Sequence, residues 1–104
     1  MPDPVAGLVL LAATSGLAVD VAPDRAASLE NLVRQDCGSC HGLTLAGGLG
    51  PDIRAQALDG MPPDVLAEVI LDGRPGTAMP PWRPLISEAD AAWIAAYLLE
   101  GDAE

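Results

Sequence analysis

The sequence contains no lysine and no phenylalanine, one histidine, two cysteines and three aromatic side chains, Trp82, Trp93 and Tyr97. With only 5 arginines against 15 acidic residues, the net charge is −10. Such a balance excludes nucleic acid as a partner, because phosphate binding needs a basic footprint. It excludes stable attachment to anionic membrane surfaces on the same ground. Two cysteines are too few for a multi-bridge disulfide scaffold. Beyond the first residues no apolar–polar alternation signals a strand. The shortage of large side chains leaves a single domain of 104 residues with little to fill its centre, which suggests that a non-protein group occupies part of the core.

What is present is helical. One segment runs from about Asp24 to Asp36, with Asp24 as the expected cap and Leu29, Leu32 and Val33 at helical spacing. A second runs from about Pro63 to Asp72, with Pro63 at the first position, Asp64 in the first turn and Gly73 closing the end. Its apolar positions are Val65, Leu66, Val69 and Ile70. The third follows Ser87-Glu88-Ala89-Asp90, a variant capping box, with Ala89, Trp93, Ala96 and Tyr97 at helical spacing, and ends at Gly101. The first and last helices are expected to touch, Leu29, Leu32 and Val33 against Trp93 and Tyr97. Gly- and Pro-rich loops cover 42–52 and 74–84. Ahead of all this, residues 1–18 read as a signal peptide. Val5 to Ala13 form its apolar run and small residues flank a cut after Ala18, although Asp3 stands where positive charge is usual. Residues 19–104 then form the domain. An uncleaved anchor suits the stretch less well, being shorter than a membrane span.

The chemistry lies in Cys37-Gly38-Ser39-Cys40-His41, the C-x-x-C-H signature of covalent c-type haem attachment. Each thiol can add to one vinyl group when the two stand about a helical turn apart, and the next residue then lies beneath the iron. A thioredoxin-type pair would need a βαβ pattern, and a zinc site would need a second Cys/His pair. Neither is present.

A haem held by one histidine has a sixth iron position. Methionine there is the electron-transfer arrangement and raises the potential. The chain offers Met61-Pro62-Pro63 and Met79-Pro80-Pro81. Met61 can serve as an apolar residue at a helix start, whereas Met79 has no helix to serve, so the reading favours His41 and Met79 as iron ligands. The carbonyl of Pro51, in GLGPD, is a candidate acceptor for the second ring nitrogen of His41; the same stretch also suits an ordinary turn. Haem propionates call for donors, and the Trp82 indole and Arg54, Arg74 or Arg83 are the candidates.

These features together resemble the class I cytochromes c over residues 24–101: a helix ending in Cys37 to His41, GLGPDI, a late loop methionine and an aromatic C-terminal helix. The resemblance implies an all-α fold of short helices around one haem, with the terminal helices in contact and one haem edge exposed. CHGLTLAGGLGP and ILDGRPGTAMPPWRPLISEADAAWIAAYLL are similar to the NirC-type small monohaem cytochromes c of denitrifying bacteria. That likeness implies a periplasmic electron carrier rather than an enzyme. Its expected partner is the cytochrome cd-type nitrite reductase or a dehydrogenase of haem d maturation, met through a rim that includes Gly47, Pro80 and Pro81. Service to another periplasmic oxidoreductase, or a haem-based ligand sensor, are the other readings.

Overall fold

The computed structural model describes residues 20–104, so the expected leader lies outside the described residues. Helix α1 spans Pro23–Leu32 and passes without a break into a π-helical turn, Val33–Cys37, and then into the short α2, Gly38–His41. Helix α3 spans Pro63–Asp72 and α4 spans Glu88–Leu99. No strand occurs among the described residues. The fold is that of a class I cytochrome c in outline, and α4 forms its spine, packing most extensively on α3 and also on α1.

Two expectations about helix ends need correction. Asp24 is not the cap of α1: Pro23 takes the first helical position, where a missing N–H costs nothing, and Ala22 precedes it without a side-chain cap. Asp24 sits in the first turn instead, which the positive helix end favours. Nor does the helix stop at Asp36. It runs through Cys37 to His41, where Gly42 turns out at φ +93°. By contrast, α3 occupies the expected residues, and Gly73 leaves it at φ +69°.

The core is small and aliphatic. Leu29 and Val33 of the first helical segment meet Ala91, Ile94 and Ala95 of α4, and none of the five exposes any surface. Leu66, Ile70 and Leu71 of α3 and Leu45, Leu58 and Ile86 from loops complete it. The buried apolar residues of α4 are Ala91, Ile94, Ala95, Tyr97 and Leu98; Tyr97 is buried as expected, whereas Ala89 is exposed and Trp93 and Ala96 are half-buried. The cause is that α4 is apolar around most of its circumference and packs on two helices at once. Trp93 stacks on Tyr97 with centroids 4.7 Å apart. On α3, Val65 is 46% exposed, while Val69 is half-buried.

Two polar devices fix the start of α4. Ser87 and Asp90 form the reciprocal capping box at 3.0 Å in each direction. The buried Asp90 also receives Arg25 of α1 through two bonds, 3.1 and 2.7 Å, which ties the terminal helices together. Those donors hold its carboxyl down at about 2.

Candidate functional site

The continuous helix carries Cys37, Cys40 and His41 to one wall of a cavity of about 600 Å³. Neither thiol forms a disulfide. Before any thioether forms, burial, aided by the charge of Asp36, pushes the Cys37 thiol up to about 11. The Asp36 carbonyl accepts the Ser39 hydroxyl at 2.8 Å, which satisfies an acceptor close to where the helix changes pitch.

The loop after His41 folds back beneath it. Gly47 N–H donates to the His41 carbonyl and Gly50 N–H to that of Cys40, each at 2.7 Å. This brings Gly50 flat against the imidazole: a β-carbon there would stand 2.7 Å from Cε1 and 2.8 Å from Nδ1 of His41. It also sets His41 Nδ1 2.7 Å from the Pro51 carbonyl. A carbonyl only accepts, so Nδ1 carries the proton and Nε2 keeps the lone pair a metal needs. Leu45 holds the loop from inside, buried despite its φ of +63°.

The other wall comes from the segment after α3. Gly73 turns so closely past residues 79–80 that a β-carbon on it would lie 2.6 Å from the Met79 carbonyl oxygen. Arg74 N–H donates to that same oxygen at 3.3 Å. Thr77 then bridges the loop, its hydroxyl donating to the Arg74 carbonyl at 2.6 Å and accepting from Met79 N–H at 3.2 Å. Met79 and Met61 both line the cavity, with Ile53, Leu58, Leu66, Val69, Ile70, Ile94 and Leu98 supplying apolar surface.

Two thiols, an imidazole with its tautomer set, thioethers and an apolar hollow in the core fit a covalently held haem. A bare metal ion fits less well. Among the described residues no three His, Cys, Asp or Glu side chains gather to hold one.

Comparison with known proteins agrees. Residues 24–98 match the family described as cytochrome C oxidase, cbb3-type, subunit III. Cytochrome c55X of Paracoccus denitrificans is 57% identical over 98 residues, 92% of this chain and 95% of that one. Cytochrome c55X of Pseudomonas aeruginosa is 54% identical, over 84% of this chain and 74% of its own length. Among solved structures, the c-type cytochrome NirC superposes with a TM-score of 0.78 at 49% identity, over 80% of this chain and 98% of that one. The chain belongs to the NirC-type small c-type cytochromes. A further likeness is to one part of a larger protein. Dihydro-heme d1 dehydrogenase NirN, solved in complex with DHE, matches at TM-score 0.62 and 40% identity over 67% of this chain but 15% of its own.

The cytochrome thus carries one haem c, bound through Cys37 and Cys40. Its walls gather Cys37, Cys40, His41, Pro51, Met79 and Trp82 into one lining. Met61 joins them, although its place at the start of α3 suggested packing alone. The arginines divide. Arg54 is taken by Asp52 at 2.7 Å, holding that carboxyl at about 2, and Arg83 is taken by Asp72 at 2.8 Å and Glu88 at 3.4 Å. Arg74 lines the cavity. The glycines of GLGPD suggest a loop that approaches the haem closely, and Gly50 does lie close to the site, against the His41 ring. Sequence reasoning missed the site role of Gly73: it reads only as a helix end, and the fold alone shows that a side chain there would strike the Met79 carbonyl.

Proposed function

We propose that the cytochrome is a periplasmic one-electron carrier of denitrification, with His41 Nε2 and Met79 Sδ as the two iron ligands. When bound, the haem supplies a reversible one-electron couple. The chain's own contribution is to fix its ligands. Pro51 and Gly50 hold the imidazole, and Gly73, Arg74 and Thr77 hold the methionine loop. Stiff support on both sides keeps reorganisation small when the charge on the iron changes. The observation that carries this reading is that one apolar cavity has both a tautomer-fixed histidine and a hydrogen-bonded methionine loop in its walls. With both iron positions filled by protein, substrate has no place to bind, which favours a carrier over an enzyme or a ligand sensor. Export is supported by the leader pattern in residues 1–18, and no described helix is long and apolar enough to cross a membrane.

The likeness to part of dihydro-heme d1 dehydrogenase favours a partner in the haem d1 system. Dehydrogenation releases electrons that need an acceptor, and the ferric cytochrome suits that task. Donation to nitrite reductase is the companion reading. Mixing experiments separate them. In the first, ferric cytochrome is added to the dehydrogenase with its dihydro substrate; in the second, ferrous cytochrome is added to nitrite reductase with nitrite. Reduction in the first mixture supports the maturation role and oxidation in the second supports respiration. A cytochrome inert in both would contradict the assignment to this system. Carbon monoxide addition to the ferrous protein addresses the sensor alternative, because a ligated Met79 resists displacement.

A further inference from the structure

We propose that Arg74 pairs with a haem propionate, and that this contact braces the loop bearing Met79. The inference rests on the haem and ligand reading given above. Haem carries two carboxylates into a cavity that is mostly apolar, and a carboxylate in such surroundings favours a donor of opposite charge. The lining already holds two carboxylates of the protein, Asp36 and Asp52. Of the five arginines, Arg25, Arg54 and Arg83 are each already paired with a carboxylate of the chain, Arg54 with the lining Asp52. Arg34 does not line the cavity. Arg74 does line it, is solvent-exposed, and makes no ion pair among the described residues. It is the one arginine among the lining residues.

Its backbone position gives the contact a consequence. Arg74 sits at the base of the methionine loop, with its N–H on the Met79 carbonyl and its own carbonyl accepting both Thr77 N–H, at 3.0 Å, and the Thr77 hydroxyl. A guanidinium clamped to the cofactor would therefore hold both ends of the turn that presents Met79. This makes Arg74 a positioning residue for the sixth ligand as well as a counter-ion.

The test uses the holo-cytochrome and three variants. R74Q removes the charge, R74K keeps it without the planar fork, and R34Q removes an equal charge outside the cavity. Two readouts are taken: the resonance Raman bending band of the haem propionates and the rate of carbon monoxide binding to the ferrous protein. R74Q is expected to shift the propionate band and to bind carbon monoxide about tenfold faster, in line with loss of one charge-assisted bond. R74K should show a smaller shift of the same sign, which remains readable if R74Q folds poorly. R34Q should match the parent. An unmoved band in R74Q and R74K, or an R34Q that matches R74Q, would overturn the proposal. Failure of the underlying ligand reading would look different, since the unmodified protein would then bind carbon monoxide rapidly.

Discussion

At the scale of single residues, two glycines bear on the two proposed iron ligands through space rather than through bonds. Gly50 lets the backbone lie against the His41 ring, and Gly50→Ala would place a methyl within 3.0 Å of two ring atoms. The ring must then move off the Pro51 carbonyl. We expect loss of the hydrogen-bonded Nδ1–H resonance in the proton NMR spectrum and electron transfer slower by about tenfold, as for other altered partners of metal-bound histidines. Retention of both would show that the loop yields instead. Gly73 combines φ +69° with a 2.6 Å approach to the Met79 carbonyl. Gly73→Ala is therefore strained in itself and pushes on the ligand loop. Carbon monoxide should bind the ferrous variant faster than the parent, and an unchanged rate would contradict this coupling. Met79 is told from Met61 only by its loop context, whereas Cys37, Cys40 and His41 are legible in the sequence because C-x-x-C-H is defined by residue type. The supports are not, because they depend on which backbone atoms approach the glycines.

At the scale of elements, α3 and α4 are plain in the sequence because proline, a capping box and glycine mark their ends. The first helical segment is harder to read. Gly38 and Ser39 are weak helix formers, so the sequence signal stops at Asp36, yet the helix continues through a π-helical turn to His41. The wider turn begins at Val33, which packs in the core, and ends at Cys37, which lines the cavity. No residue type announces such a turn. The link between α1 and α4 makes an element-scale prediction. Asp90 is held at about 2, below its ordinary value of 3.8. A depressed carboxyl stabilises the fold fully above the ordinary value, and that stability is lost as pH falls through about 2. Arg25→Gln should lower stability modestly at neutral pH, with the deficit shrinking below about pH 4. Thermal melts of the holo-protein across this range follow it. A deficit that is constant with pH would separate Asp90 from the effect.

At the scale of the whole molecule, the charge decides the partner. A net charge of −10, with three of the five arginines bound to the chain's own carboxylates, leaves an acidic surface. Leu49, which lines the cavity, is 92% exposed, and Leu43, two residues after His41, is 86% exposed. A partner with a basic face is expected, with an association rate that falls as ionic strength rises. A rate that rises with salt would contradict this. Underlying every scale is the claim that sulfur from Met79 and nitrogen from His41 complete the iron. The near-infrared sulfur-to-iron charge-transfer band of the ferric protein tests it most directly, recorded for the parent and for Met79→Ala and Met61→Ala. The account predicts a band in the parent and in Met61→Ala and none in Met79→Ala. A band that survives loss of Met79 and disappears with Met61 would contradict it.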